Sequence, residues 1–134
     1  MNREMLMLVD AIAREKNVER DLVFAAVESA LAQATKKLLQ SDKEQPIADP
    51  DIRVSIHRDT GEYETFRRWL VVDDSAGLQN PDAEEMLMDA VERVADIQVD
   101  EYIEETIPSL PIGRIGAMAA KQVILQKIRD AERE

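Results

Sequence analysis

A chain of 134 residues without a single cysteine is long enough for one domain with a core of its own, and it excludes disulfides, thiolate nucleophiles and cysteine-based metal sites. Its net charge of −11 excludes indiscriminate affinity for nucleic acid. The charge is unevenly spread: residues 73–105 hold twelve acidic residues and one basic one, Arg93, a balance of −11, while residues 1–72 come to −2 and residues 106–134 to +2. The opening lacks the long apolar run of a secretory signal. The longest apolar stretch, Leu22 to Val27, is far too short to span a bilayer. The chain therefore reads as cytoplasmic, with no membrane partner.

Met5, Val9 and Ile12 recur at helical spacing and predict a first helix over residues 3–16. Asn17 suits the N-cap of a second helix over about 19–39. In that helix Phe24, Val27, Leu31, Ala34 and Leu38 form one apolar stripe, and Lys36 and Lys37 lie in the last turns, where the helix dipole favours cations. Residues 41–50 read as a loop. The period then changes to two: Ile52, Val54 and Ile56 alternate with Arg53, Ser55 and His57. Asp59-Thr60-Gly61 supplies a turn, and Tyr63 to Val72 predicts the returning strand of a hairpin. Residues 73–83 form an acidic loop. Over 84–96 a short strand passing into a helix is favoured, with Leu87, Val91 and Val94 as its apolar positions. Tyr102 to Ile107 alternates as another strand. Pro108 and Pro111 bracket a turn, and a long last helix runs from about 111 to 132. The fold class is α+β: two helices, a small mostly antiparallel sheet with a short helix, and a long closing helix, in the order α-α-β-β-β-α-β-α.

No catalytic constellation emerges. His57 is the only histidine and reads as a surface strand residue, since acid–base or metal work needs partners at defined positions. Calcium-loop spacing, a phosphate loop and a nucleophile elbow are all missing. The chain reads as a binding protein that needs no cofactor or metal. Gly113-Arg114-Ile115-Gly116 fits the GxxG of KH domains, though glycines at a helix start also serve close packing.

The closing helix carries the most information. Ile112, Ile115, Met118, Val123, Ile124, Leu125 and Ile128 spread around the whole wheel, which predicts contact with protein on more than one side. Arg114 and Lys121, two turns apart, share one face about 10 Å from each other. Arg114 falls in the first turn, where the dipole disfavours a cation. An anionic partner outside the domain accounts for it, and so does an internal salt bridge to the acidic segment. Arg67-Arg68 raises a related question, because neighbouring strand residues point to opposite faces. If Phe66 and Leu70 face the core, Arg68 shares their side; if Trp69 and Val71 do, Arg67 does. A bulge also resolves this.

Three motifs together resemble a known family. Glu64-Thr65-Phe66-Arg67-Arg68-Trp69-Leu70-Val71-Val72 is similar to the hairpin motif of the N-terminal domain of bacterial NusA, the transcription elongation, pausing and termination factor. So is Gly113-Arg114-Ile115-Gly116 with its continuation from Ala119-Ala120-Lys121-Gln122 to Arg133. The opening resembles it in Glu15-Lys16 and from Phe24 to Ala34-Thr35-Lys36-Lys37. The 41–50 loop is longer than in several relatives, and 73–100 follows the family only loosely. The resemblance implies a single domain over 1–134, excised from a longer protein whose OB-fold and KH domains are absent. It implies anchoring on RNA polymerase near the RNA exit channel, through the flap tip of the β subunit and the C-terminal domain of an α subunit. Nascent RNA hairpins form beside the family's domain, in weak contact with its basic residues. Carried over by position, Arg114 and Lys121 match basic positions of the motif, and Arg67, Arg68, Lys36 and Lys37 also match family positions. The expected state is a monomer. The rival readings are an unrelated interaction module, with the last helix as a dimer seam, and a small hydrolase or transferase using carboxylates.

Overall fold

The computed structural model describes residues 1–112 and 117–132, with the side chains of residues 117–121, 123, 131 and 132 outside the description. Asn2 starts the fold. Its side-chain oxygen accepts the Met5 N–H at 3.0 Å and caps helix α1 (Arg3–Lys16). Met5, Val9, Ile12 and Ala13 are the buried positions of α1. Asn17 ends α1 in the left-handed conformation, φ 52° and ψ 51°, with its N–H bonded to the Ala13 carbonyl. It is thus a C-terminal cap, which asparagine tolerates because its short side chain relieves the left-handed strain, and not the N-cap expected for the next helix. Glu19 occupies that N-cap position without a side-chain cap.

Helix α2 (Arg20–Gln40) is the hub. It packs on α1, on strand β1 (Asp51–Ile56) and on the closing helix α4 (Ala117–Glu132). That position explains why its buried set, Val23, Phe24, Ala26, Val27, Ala30, Leu31 and Thr35, is wider than one stripe. Leu38, expected on the buried stripe, is 55% exposed. The chain leaving α2 folds back on the other side: the Ile47 N–H donates to the Leu39 carbonyl at 3.1 Å, and Gln40 Nε2 to the Ala48 carbonyl at 2.7 Å. Leu39 is therefore the half-buried residue of the last turn.

Strand β2 (Tyr63–Val72) is the centre of the sheet. On one side it pairs first with β1, antiparallel from Ile56↔Tyr63 to Asp51↔Arg68, and then with β3 (Glu84–Met86), parallel from Leu70↔Glu84 to Val72↔Met86. On the other side it pairs antiparallel with β4 (Tyr102–Ile107), from Thr65↔Ile107 to Leu70↔Tyr102. The hairpin between β1 and β2 closes at Gly61, φ +76°. One face of β2, with Tyr63, Thr65, Arg67, Trp69 and Val71, is covered. Its first half lies over the main core with Val54 and Ile56. Its second half lies over a smaller cluster of Val71, Ala90, Ile97 and Ile103, flanked by Trp69 and Leu87 of helix α3 (Leu87–Arg93). The stripe expected for α3 is only partly realised: Leu87 and Ala90 face inward, while Val91 and Val94 are exposed.

The other face of β2 carries Phe66, Arg68, Leu70 and Val72, and no described element packs over it. The α+β class and the order of eight elements are as expected from the sequence, with one parallel pairing in the sheet. Pro111, where the sequence places the start of the last helix, is not helical; residues 113–116 lie outside the described residues, and the described helix covers Ala117–Glu132. Ile124 and Ile128, 1% and 2% exposed, press it into the main core. No helix among the described residues is long and apolar enough to cross a membrane.

Candidate partner-binding residues

Of the six cations singled out in the sequence, two lie outside the description: Arg114 falls on undescribed residues and Lys121 has an undescribed side chain. The outward direction expected for them falls outside the described residues too, as does the segment from Gly113 to Gly116.

The other four are placed in contrasting ways. Arg67 lies on the covered face, between the two core clusters. Its guanidinium stacks 4.6 Å from the Trp69 ring centroid and donates from Nη2 to the Asp82 carbonyl at 3.0 Å. Its Nε is buried without a hydrogen-bond partner. Arg68 lies on the open face, 4.0 Å over the Tyr102 ring, with Nη2 3.3 Å from Asp51 Oδ2. Pairing along β1 is continuous, so no bulge intervenes; the choice between Arg67 and Arg68 falls on Arg67 as the inward residue. Lys36 Nζ is 2.7 Å from Asp49 Oδ1. Lys37, one residue on, is exposed and has no ion pair among the described residues.

Two of these side chains bind one short segment, residues 48–51, and Arg67 is linked to it through Asp82. Asp49 takes Lys36, and Asp51 takes Arg68. Asp82, whose carbonyl takes Arg67, accepts the N–H groups of Ala48 and Asp49 at 3.1 Å each through Oδ2. Asn80 Nδ2 adds bonds to Asp49. Arg67, Arg68 and Lys36 thus tie the end of α2, the loop before β1 and the loop after β2 into one unit. They are held mainly by the fold's own acceptors, whereas Lys37 faces solvent.

A second set, missed in the sequence, shapes the open face. Arg53 stacks 4.5 Å over Phe66 and makes two bonds to Glu104, at 2.7 and 3.2 Å. That hydrogen-bonded pair raises the Arg53 pKa above its already high ordinary value. The register places Arg53 opposite Phe66 and Glu104 opposite Arg68. The period-two alternation held that signal, but only strand order brings the residues together.

The approach to α4 is fixed by β2. The Tyr63 hydroxyl donates to the Leu110 carbonyl, and the Thr65 and Ser109 hydroxyls lie 2.8 Å apart. Burial is the main reason the Tyr63 pKa is raised above 10.0. The neutral phenol is thus favoured in the fold. Its contribution to stability is complete below the ordinary pKa and declines as pH rises from there through the folded pKa. Tyr63→Phe is expected to flatten this alkaline loss while lowering neutral-pH stability by about 1 kcal/mol. Urea unfolding of both forms from pH 8 to above pH 10 checks it; parallel pH profiles count against the assignment.

No cluster of three or more His, Asp or Glu that suits a metal ion occurs among the described residues. A family model described as the NusA N-terminal domain matches residues 4–134. Two curated proteins named transcription termination/antitermination protein NusA, from Rickettsia conorii and Rickettsia prowazekii, are each 31% identical to this chain over 133 residues. Each alignment takes in 99% of this chain, which spans about a quarter of the relatives' length, 24% in both cases. The solution structure of the N-terminal domain of NusA from B. subtilis is similar over 100% of both chains, with a TM-score of 0.60 and 28% identity.

Proposed function

This chain belongs to the NusA N-terminal domain family, and from that we propose that it docks on RNA polymerase beside the RNA exit channel, at the flap tip of the β subunit, and modulates pausing, termination and antitermination. It works by binding, as a monomeric domain of a longer protein, with no chemistry of its own. Arg114 and Lys121 face the nascent RNA hairpin, with Lys37 as a further outward cation. Arg67, Arg68 and Lys36 hold the surface in shape more than they touch RNA. The C-terminal domain of an α subunit is a second polymerase contact.

The observation that carries this reading is the extent of the family match: it runs through the closing helix and takes in both Arg114 and Lys121. The anchoring of that helix supports it. Ile124 and Ile128 fix α4 on α2, while Tyr63 and Thr65 fix the segment that leads into it. The backbone of Lys121, which lies within α4, is thereby held in place relative to the rest of the domain, which lowers the entropic cost of meeting a phosphate. The magnitudes are compatible. A few-fold change in pause lifetime takes about 1 kcal/mol, since about 1.4 kcal/mol is tenfold in rate, and one or two phosphate contacts beside a tethered RNA supply that. The overall charge of −11 keeps affinity for free RNA low, so docking on polymerase comes first.

Arg114→Ala with Lys121→Ala, in the whole protein that carries this domain, is expected to shorten hairpin-dependent pauses several-fold and to leave the unfolding midpoint unchanged. Pause lifetimes and a urea melt of the same preparation read both. Unchanged pausing removes these two residues from the function; loss of stability assigns them to internal salt bridges.

A further inference from the structure

The outer side of α3 joins two features that stability does not require. Met88 and Val91, three residues apart, share one helix face; Val94 follows at the cap. They are 57%, 39% and 46% exposed. Beside them run Asp89 and Glu92, with Asp96 in the turn beyond, all exposed and without ion pairs among the described residues. An apolar strip thus lies along a strip of carboxylates. The one basic residue of this acidic segment does not neutralise it: Arg93 is drawn back onto Glu85 at 2.8 Å and lies 5.1 Å over the Trp69 ring. The helix is fixed from below by Ala90, which is fully buried, and at its start by Asp74, whose Oδ1 accepts the Met88 N–H at 3.0 Å. Scattered exposed apolar residues are ordinary, but Met88 and Val91 on one face of a fixed helix, with carboxylates beside them, suit a docking surface.

We propose that the Met88–Val91 face of α3, with Val94 at its cap and the flanking carboxylates, docks a basic amphipathic helix of a partner protein. Charge selects this occupant. A second copy of the chain would set Asp89, Glu92 and Asp96 against their own equivalents, and nucleic acid or an anionic lipid surface would be repelled in the same way. A helix with apolar residues at i, i+3, i+4 and i+7 and lysines or arginines along one flank matches both strips at once. Methionine at the edge of the strip adapts to partners of different shape. The surface uses none of the cations assigned to RNA, so it stands or falls independently of them.

The test uses the 134-residue chain labelled with nitrogen-15 and three synthetic peptides. The first is amphipathic, with leucines on one face and lysines on the other. The second has the same composition with the leucines scattered. The third has the first pattern with glutamates for lysines. The first peptide is expected to bind saturably, with shifts centred on Leu87 to Asp96. Met88→Ser with Val91→Ser, and separately Asp89→Lys with Glu92→Lys, are each expected to weaken it about tenfold, a change of about 1.4 kcal/mol. These side chains are exposed, so the fold survives both pairs of changes. Equal binding of the scattered peptide, or of the acidic one, overturns the proposal. So do shifts centred elsewhere, no loss in the variants, or concentration-dependent self-association that maps to α3.

Discussion

Replacing Ile124 by alanine is expected to lower the unfolding free energy by about 3 kcal/mol, within the range for truncating a fully buried isoleucine. Ile124 is 1% exposed and lies in the main cluster with residues of α1, α2 and β1. Truncation removes apolar area and leaves a space lined by side chains that other elements hold in place. Leu125, half-buried at the cluster's margin, can let water or a neighbour fill the gap, so Leu125→Ala is expected to cost less than half as much. Urea unfolding of the two variants gives the comparison. A small loss at Ile124 would mean that α4 is not anchored as described. On the functional reading, Ile124→Ala also impairs pausing in the whole protein, although Lys121 is untouched, because the helix that carries it loosens.

The second large effect falls on a glycine. Gly61 has φ +76°, and a Cβ there would meet the Asn2 carbonyl oxygen at 2.5 Å and Leu6 Cγ at 3.0 Å. Gly77 has φ +70° with nothing within 4 Å. Alanine at Gly77 therefore carries only the left-handed strain, about 1 kcal/mol. Alanine at Gly61 adds a clash with backbone that is itself tied down, since the Asn2 N–H donates to the Thr60 carbonyl at 2.7 Å. Gly61→Ala is expected to cost about 3 kcal/mol, and the gap between the two variants measures the contact of the hairpin tip with α1. Equal losses would show that the tip does not bear on α1.

How much of this was legible in the sequence depends on whether a residue's role was set by its own segment. The first helix and the strand from Tyr63 lie where their periodicities place them, because each buries one face of its own, and the strand from Tyr102 does so with Ile103 as its one buried residue. Asn17 misled because its type suits both the end of one helix and the start of the next; the three-residue connection between α1 and α2 decides for the end. Leu38 misled because it fits the stripe of α2, and only the return of residues 47 and 48 onto Leu39 and Gln40 shows which side is covered. The alternatives at Arg67 and Arg68 stayed open for the same kind of reason. Local alternation allowed either, and the position of α3 against Trp69 and Val71 turned Arg67 inward. The carboxylates that hold the cations come from elsewhere in the chain, as in Lys36 with Asp49 and Arg53 with Glu104. No spacing rule connects them.

The polymerase reading is tested most directly by titrating the nitrogen-15-labelled chain with an isolated fragment of the β-subunit flap and following the amide spectrum. Saturable shifts confined to one continuous surface are expected, retained when Arg114 and Lys121 are both alanine because those residues serve the RNA. A spectrum that does not change at the highest attainable fragment concentration contradicts the reading.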